Sequence, residues 1–392
     1  MTIVTPPLTD ALLPVYKRAP MELVRGERVM LFDADGGSYL DFTSGIAVNA
    51  LGYGDPGLRH AIEQAANGLI HVSNLFRTAP GELLAERLVE SSFADRVFFC
   101  NSGAEANEGA FKCVRRWARA VGGPAKHEIV ALRGAFHGRL FASLAATDRP
   151  SYRAPFRPLA GGVTIAERHL DELQGLLNPE SVAAVIVEPI QGEGGVRVLD
   201  GDFVRALRVL THDRRIALIF DEIQCGLGRT GTLFAYEQFG VTPDVMTLAK
   251  PLAGGLPMGA VLMTEEIAQA MQPGDHGTTF GGGPFVASVA LYVVDRLSDR
   301  HLLSHVTREG AWLGTALDAL KERHGKVRAI RGKGYMWGID VSEPAGDIVT
   351  RARALGLLLV TAGEHTLRLL PPLIATREEL ARGVELLEAA LG

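Results

Sequence analysis

The stretch Ala217-Leu-Ile-Phe-Asp-Glu-Ile-Gln224 decides the fold class of this chain. Its apolar first half is too short for a buried helix and has no polar face, so it predicts a central strand of a parallel sheet. The apolar run 245–249, which ends at Lys250, has the same character, and the chain between them, with an amphipathic stretch at 233–239, is long enough for a crossover. Parallel strands present their carboxyl ends at one edge of a sheet, where open α/β proteins bind ligands. We therefore expect Asp221 and Lys250 to face one crevice, although two solvated residues at strand ends would give the same pattern.

Short apolar runs alternate with helical patterns through the middle of the chain, which is typical of a doubly wound, largely parallel α/β sheet. The predicted strands are 97–100, 129–132, 182–187, 217–220, 245–249 and 258–263, and the predicted helices include 58–67, 81–91 and 285–297. A capping box at 376–379 opens a final helix, and an Asp/Gly turn between runs 28–32 and 39–42 predicts a hairpin outside the main sheet. We expect a large domain at 51–290, a small α+β domain at 291–392, and a segment at 1–50 that contributes to the small domain.

Composition excludes several classes of function. The net charge is −5 and no basic block is present, which argues against nucleic acid as a partner. No apolar run is long enough to span a bilayer, and residues 1–16 lack the pattern of a signal peptide. The 3 cysteines fit neither a disulfide framework nor a zinc site, and the histidines lack metal-ligand spacing, so we expect a cytoplasmic protein without a metal.

A phosphate site is predicted where strand 97–100 meets the next helix, at Asn101-Ser-Gly-Ala-Glu-Ala-Asn107. Ser102 and Glu105 form a capping box, in which the serine side chain accepts from the N–H three residues on. The N–H groups of Gly103 and Ala104 then remain free at the positive end of the helix dipole, where phosphate binds. An ordinary capped helix would show the same residues.

A second glycine pattern invites a different interpretation, which we reject. The segment 225–231 contains a G-x-G-x-x-G match, typical of dinucleotide sites. Its glycines do not follow the strand directly, and no acidic residue ends a next strand at the required distance.

Further polar residues follow other predicted strands at the same sheet edge. Phe136 and Arg139 follow strand 129–132, and Glu188 and Glu193 follow strand 182–187. Paired carboxylates are used in glycoside hydrolysis, but no sugar-stacking groove accompanies this pair. So many chemically useful residues at one edge indicate an active site.

The motifs together resemble a known family. The segments NSGAEAN (101–107), FHGR (136–139), VEPIQGEGG (187–195), IFDEIQCGLGRTG (219–231), TLAK (247–250), HGTTFGGGP (276–284) and RLLPPL (368–373) are similar, in this order, to those of the class III pyridoxal-phosphate-dependent aminotransferases. Within that family they most resemble the acetylornithine branch, and the similarity runs from about residue 13 to the C-terminus. The resemblance implies a fold type I architecture, pyridoxal 5'-phosphate as cofactor, and a homodimer with shared active sites.

The resemblance also assigns roles to residues. Lys250 matches the lysine that binds the cofactor and transfers a proton during the reaction. Asp221 matches the carboxylate that lies against the pyridine nitrogen of the cofactor. The other cofactor-binding positions are Ser102, Gly103, Ala104, Phe136 and Gln224. Thr279 is expected to reach the cofactor phosphate that is bound in the neighbouring subunit. The substrate-binding positions are Tyr16, Arg139, Glu193, Thr278 and Arg368. Glu193 is expected to pair with Arg368 and mask it, with the adjoining glycines allowing it to swing away when glutamate arrives.

The implied reaction transfers the terminal amine of N-acetylornithine to 2-oxoglutarate, giving the semialdehyde and glutamate. Succinyl-diaminopimelate, acetyl-lysine, ornithine and 4-aminobutyrate remain alternative donors, and an isomerase or decarboxylase on the same fold, or a cofactor-free binding protein, are alternative classes. Two departures from the family pattern, Pro251 for a small residue and Gly283 for asparagine, leave the substrate open.

Overall fold

A seven-stranded mixed sheet forms the centre of the molecule in the computed structural model, which describes residues 11–392. Predictions that concern residues 1–10 lie outside the described residues. The strand order across the sheet is β4 (Arg96–Cys100), β12 (Gly259–Met263), β11 (Val245–Leu248), β10 (Ala217–Asp221), β7 (Val182–Val187), β5 (Glu128–Leu132) and β6 (Val163–Ala166). Strand β12 is antiparallel to both of its neighbours, and the other pairings are parallel. This confirms the doubly wound, largely parallel sheet predicted from the sequence.

The two strands that motivated the prediction lie side by side. Strands β10 and β11 are parallel, with Asp221 opposite Thr247, and every residue in both strands is buried. A strand covered on both faces needs apolar residues throughout, which explains the absence of alternation in these runs. The predicted crossover at 233–239 contains a 3-10 helix, Ala235–Phe239, and no α-helix.

Helices cover the sheet and form the rest of the core. They are α1 (Ser44–Ala47), α2 (Pro56–Ala66), α3 (Ala79–Glu90), α4 (Gly103–Gly122), α5 (Phe141–Ala145), α6 (Pro150–Arg153), α7 (Leu170–Leu176), α8 (Gly201–Asp213), α9 (Glu265–Ala268), α10 (Pro284–Leu297), α11 (Arg300–Arg323), α12 (Ala345–Ala354) and α13 (Arg377–Leu391). The predicted helices at 58–67, 81–91 and 285–297 correspond to α2, α3 and α10. The predicted capping box at the start of α13 is present, with Thr376 and Glu379 bonded reciprocally.

Two smaller sheets lie outside the central one. The first contains β1 (Leu23–Glu27), β2 (Met30–Asp33), β3 (Ser38–Asp41) and β15 (Leu357–Leu358), and it includes the predicted hairpin. The second contains β13 (Val327–Lys333), β14 (Met336–Val341), β17 (Thr366–Leu369) and β16 (Val360–Thr361), none of which was identified from the sequence. A two-stranded ribbon pairs β8 (Ile190–Gln191) with β9 (Arg197–Val198).

Pairing between distant segments joins the two ends of the described chain. Strand β3 pairs in parallel with β15, so that Leu40 lies opposite Leu357. A large core cluster continues from these strands through α10 and α11 to α13. Among the described residues, no helix is both long and apolar enough to cross a membrane.

Candidate active site

A cavity of about 390 Å³ opens at the carboxyl ends of the central strands. Most of the predicted cofactor residues share its lining, together with one predicted substrate residue: Ser102, Gly103, Ala104, Phe136, Arg139, Asp221, Gln224 and Lys250. Asp221 ends β10 and Lys250 follows β11, so the expected crevice between them is present.

The backbone at Lys250 is strained. Its φ is +39°, a left-handed conformation that L-residues with a side chain rarely adopt, and such strain is concentrated at functional sites. Lys250 begins a 3-10 helix, Lys250–Ala253, in which Pro251 occupies the first turn. The missing N–H of a proline is tolerated at that position, so Pro251 fits the local structure.

Burial lowers the pKa of Lys250 below its usual value, and this effect exceeds the opposing effect of Asp221, whose negative charge raises the pKa. Arg368 lowers the pKa further through charge repulsion. A larger fraction of the amine is therefore neutral near neutral pH, and a neutral amine is the nucleophilic form.

Asp221 is held by two buried residues whose roles the sequence did not reveal. Asn107 donates from Nδ2 to Asp221 Oδ2 at 2.8 Å, and His137 Nδ1 lies 2.7 Å from the same oxygen. Asn107 also donates to the carbonyl of His137 and accepts from Thr247 Oγ1, each at 2.8 Å. These contacts fix the carboxylate, and His137 itself lines the cavity.

The N-terminus of α4 forms the predicted anion site with one difference in its capping. Ser102 accepts from the N–H of Glu105 at 3.3 Å, as predicted. The carboxylate of Glu105 accepts from the N–H of Asn101 at 2.6 Å, so the return bond of the capping box is displaced by one residue. The N–H groups of Gly103 and Ala104 have no partner among residues 11–392.

Apolar side chains line the cavity between these polar groups. Ile223 packs so closely against Gly103 that a Cβ atom added to the glycine would lie 2.9 Å from the isoleucine side chain. Phe136 lines the cavity as well, and its N–H donates to Glu188 Oε2 at 3.0 Å. Burial raises the pKa of Glu188 to about 7.

Arg139 lies exposed at the cavity, with its guanidinium carbon 3.6 Å from the ring centre of Tyr152. Such stacking holds a guanidinium in place while leaving its donors free. Tyr152 was not identified from the sequence, because its contact with Arg139 depends on the position of the short helix α6.

Glu193 and Arg368 form the predicted ion pair, with Oε1 and Nη1 separated by 2.5 Å. Arg368 is 2% exposed and also donates to Gln224 Oε1 at 3.1 Å. The adjoining glycines are required by close packing, because a Cβ atom at Gly192 would lie 2.3 Å from Gln224 and one at Gly194 would lie 2.5 Å from a backbone oxygen. The backbone carbonyl of Glu193 accepts a hydrogen bond from Arg149. Any displacement of Glu193 is therefore expected to involve its side chain more than its backbone.

Five predicted residues do not line this cavity: Glu193 and Arg368, which form the ion pair, and Tyr16, Thr278 and Thr279. Thr279 is exposed and, with Thr278, lines a separate cavity near Asn74. Thr278 Oγ1 accepts from Asn101 Nδ2 at 3.3 Å, which connects it to the wall of the main cavity. Tyr16 is also exposed, and its ring lies 5.9 Å from the guanidinium carbon of Arg18.

Comparison with known proteins identifies the family. The family model described as aminotransferase class-III matches residues 14–391. The chain is a class III aminotransferase. The mitochondrial acetylornithine aminotransferase of Alnus glutinosa is 46% identical to it over 381 residues, with 96% of this chain and 84% of that protein covered. The acetylornithine aminotransferase of Methanocaldococcus jannaschii is 44% identical, with 94% and 92% covered.

Solved structures of other class III aminotransferases have the same fold. The N-acetylornithine aminotransferase of Stenotrophomonas maltophilia aligns with a TM-score of 0.84 at 38% identity, covering 96% of each chain. The ornithine aminotransferase of Toxoplasma gondii aligns with a TM-score of 0.93 at 29% identity, covering 97% of this chain and 92% of that one. The class III chain described here is therefore a fold type I, pyridoxal-phosphate-dependent transaminase.

The residues around the cavity fit pyridoxal 5'-phosphate. The group needs anion donors, an amine that can react with its carbonyl, and a carboxylate beside its ring nitrogen. The α4 N-terminus, Lys250 and Asp221 supply these on one cavity. His137 Nε2 is buried without a hydrogen-bond partner among residues 11–392, so the cavity wall retains polar capacity for a ligand.

The second departure from the family pattern, Gly283, precedes α10 as its N-cap and makes no side-chain cap. Glycine is accepted at an N-cap with a loss of only a few tenths of a kcal/mol relative to asparagine. The local fold around Gly283 therefore tolerates the change.

Proposed function

We propose that this class III aminotransferase transfers the terminal amine of N-acetylornithine to 2-oxoglutarate. The names of the relatives support this substrate, and the Glu193–Arg368 pair is the structural observation that carries the proposal. Because Glu193 neutralises Arg368, the exposed Arg139 remains as the group that binds a donor carboxylate. A donor therefore binds with its α-carboxylate far from Lys250 and its terminal amine near Lys250.

We propose that Lys250 carries the chemistry. When bound, pyridoxal phosphate supplies the carbonyl that takes up the amino group and a ring that accepts electrons. Lys250 Nζ binds the cofactor and, once displaced by the substrate, accepts a proton from the carbon that bears the reacting amine. General acid–base catalysis of this kind contributes about 10²–10⁴-fold to the rate.

Asp221 is proposed to stabilise a proton on the ring nitrogen of the cofactor. Its Oδ2 is already engaged by Asn107 and His137, which fixes the orientation of the carboxylate before the cofactor binds. A carboxylate that needs no reorganisation stabilises charge more effectively than one in water. Phe136 is proposed to pack on the ring face, Gln224 to lie near its phenolic oxygen, and Ser102, Gly103 and Ala104 to hold its phosphate.

Glutamate is proposed to use both arginines. Arg139 binds its distal carboxylate through the guanidinium fork, and Arg368 binds the proximal one after the Glu193 side chain moves aside. The acetylornithine donor leaves the pair intact. Thr278 and Tyr16 are proposed to complete the substrate site.

A homodimer is proposed, with Thr279 serving the phosphate of the partner subunit. Large apolar side chains are exposed near that threonine: Leu75 and Phe76, which line the same cavity as Thr279, and Phe280, the next residue in the chain. An exposed apolar surface of this kind marks an interaction site, and the side chain of Leu75 is 88% exposed. A second copy of the chain would cover this surface and bring Thr279 to a phosphate.

We infer the division into 1–50, 51–290 and 291–392 from the pattern of strands and helices along the sequence, and the β3–β15 pairing supports grouping the N-terminal segment with the C-terminal part. A cytoplasmic location is inferred from the cysteines, which are all buried and unpaired.

A panel of amine donors tests the substrate. N-acetylornithine, ornithine, succinyl-diaminopimelate, acetyl-lysine and 4-aminobutyrate would each be assayed for glutamate formation that depends on 2-oxoglutarate. We expect the highest kcat/KM for N-acetylornithine. Ornithine is the second candidate, because the ornithine aminotransferase of Toxoplasma gondii aligns so closely with this chain. A higher kcat/KM for any other donor would overturn the assignment.

A further inference from the structure

A second cavity, of about 320 Å³, lies beside the C-terminal half of α4 and has strongly cationic walls. Its lining contains the cationic side chains of Lys112, Arg115, Arg116, Arg119 and Lys126, and the carboxylate of Asp275. The whole chain has a net charge of −5, so this local excess of positive charge does not follow from composition. The cavity is separate from the α4 N-terminus that lines the active site.

Two of these cations, Arg115 and Lys126, donate side-chain hydrogen bonds only to backbone carbonyls among residues 11–392. Arg115 donates to the carbonyls of His127, Gly161 and Gly162 at 2.8–3.1 Å. Lys126 is 2% exposed and donates to the carbonyl of Pro179 at 2.5 Å. Carbonyl partners fix the position of a cation without neutralising it. Burial lowers the pKa of both groups; Arg215 lowers that of Lys126 further by repulsion, whereas the negative charge of Glu108 raises that of Arg115 in part.

The surrounding backbone is shaped to admit these side chains. A Cβ atom added to Gly122 would lie 2.4 Å from Cδ of Lys126, so a side chain at this position would displace the lysine. Gly162 has a φ of +71°, and a Cβ atom there would lie 3.0 Å from the His127 ring and 3.1 Å from Arg115 Nη2. The two positions indicate a built pocket for cations and not a set of freely solvated side chains.

The remaining cations retain donors. Arg116 pairs with Asp275 at 3.0 Å through Nε, and Lys112 donates to the carbonyl of Asp275 at 2.9 Å. Arg119 makes no side-chain hydrogen bond or ion pair within residues 11–392. The helix dipole favours cations only in the last turn, so it accounts for Arg119 and not for Lys112 or Arg115.

We propose that this cavity is a binding site for a compact multivalent phosphate anion of the diphosphate or triphosphate type. The excess of cations over carboxylates matches an anion with several charges, and arginine forks match the oxygen geometry of phosphate. Arg115 and Lys126 supply cations that backbone carbonyls hold in position, and Arg116 and Arg119 supply further donors. This site is independent of the proposed substrate.

Calorimetric titration of sodium diphosphate tests the site, with the cofactor-loaded enzyme at fixed ionic strength so that the α4 N-terminus is already filled. We expect saturable binding that the double variant Arg116→Gln/Arg119→Gln weakens at least about tenfold, because each substitution removes charge-assisted hydrogen bonds. The matched control Arg59→Gln/Arg382→Gln removes the same charge from exposed positions on α2 and α13, and it should bind like the wild type.

The single variant Arg119→Gln should fold normally, because its exposed side chain loses no hydrogen bond or ion pair within residues 11–392. We expect it to lose less affinity for diphosphate than the double variant does. Orthophosphate should bind more weakly than diphosphate. A parallel titration with adenosine triphosphate distinguishes a nucleotide ligand from a bare phosphate chain. Tighter binding of adenosine triphosphate than of diphosphate would assign the site to a nucleotide. The proposal is overturned if no saturable heat is seen up to about 10 mM diphosphate, well above the range of a specific site. Equal affinity of the two double variants for diphosphate, or equal affinity of the wild type for orthophosphate and diphosphate, overturns it as well.

Discussion

Arg368 Nη1 and Glu193 Oε1 lie 2.5 Å apart although 175 residues separate them in the chain. Arg368 is buried, whereas the Glu193 side chain is a quarter exposed. An arginine in this position cannot move away easily, but its partner reaches solvent. Since removing one partner of a buried pair costs about 3–5 kcal/mol, an incoming carboxylate can replace Glu193 favourably only if it restores the same charge contact.

Replacing the lysine should abolish turnover without unfolding the protein. We expect Lys250→Ala to lower kcat by at least about 10²–10⁴-fold, since the variant lacks both the group that binds the cofactor and the proton carrier. Borohydride treatment followed by mass spectrometry should find no cofactor attached to the chain. Lys321→Ala, at an exposed position on α11, should behave like the wild type, and near-normal kcat in Lys250→Ala would exclude the assigned role.

Asn107 is expected to stabilise the fold through its three buried hydrogen bonds. Asn107→Ala removes partners from Asp221, Thr247 and the carbonyl of His137, and buried polar groups left without partners lower the free energy of unfolding by about 1–3 kcal/mol each. Denaturant unfolding of the cofactor-free protein measures the loss. Asn67→Ala, at the exposed end of α2, is the control. If both substitutions lower the free energy of unfolding by the same small amount, the hydrogen bonds of Asn107 do not stabilise the fold as proposed.

The buried carboxyl of Glu188 predicts a pH-dependent difference in stability. Its pKa in the folded protein is about 7 against 4.5 as its ordinary value, so the folded state holds its proton more tightly than the unfolded state. Stability from this group is therefore present below about pH 4.5 and is lost as pH rises towards 7. Relative to Glu188→Gln, the wild type should lose about 2–3 kcal/mol of unfolding free energy between pH 5 and 8.

Urea titrations of the cofactor-free proteins at both pH values give the Glu188 comparison directly. Glu63→Gln, at an exposed position on α2, should show a constant difference from the wild type. A constant difference for Glu188→Gln as well would mean that the carboxyl is ionised throughout.

Local sequence signals were sufficient for part of the site. The α4 phosphate site and the crevice between Asp221 and Lys250 each depend on a strand end and the residues that follow it, so short-range patterns revealed them. The roles of Asn107 and His137 were missed because both depend on contacts with Asp221, 114 and 84 residues away in the chain. Their only sequence signal is a polar residue on an otherwise apolar helix face at 107 and a histidine beside a strand end.

The second small sheet was missed for a related reason. Strand β13 reads Val-Arg-Ala-Ile-Arg-Gly-Lys, in which charged residues and a glycine obscure an apolar face. One of its arginines, Arg331, is neutralised by Asp340 on the neighbouring strand β14, at 2.6 Å. Only the pairing of the two strands makes that charge compatible with a sheet.

The exposed apolar surface predicts a dimer that the cofactor stabilises. Sedimentation should give twice the chain mass, and cofactor should strengthen association, because a ligand held by two chains favours the assembled state. Phe76→Glu places a charge on this surface and should produce inactive monomers. Val209→Glu changes an exposed apolar residue on α8 and should leave the dimer intact, whereas a fully active monomer of the wild type would refute the assembly.

The most direct test of amine selection uses ornithine, which carries both a terminal and an α-amine. Single-turnover reactions of the cofactor-loaded enzyme would separate the product of terminal-amine loss from that of α-amine loss, for the wild type, Glu193→Ala, Arg368→Ala and the exposed control Glu63→Ala. We predict that Glu193→Ala keeps the glutamate half-reaction and lowers the preference for the terminal amine at least about tenfold, since an unmasked Arg368 attracts the α-carboxylate. An unchanged preference in Glu193→Ala, with glutamate still impaired in Arg368→Ala, would show that Arg368 is a simple carboxylate anchor and that Glu193 does not select the amine.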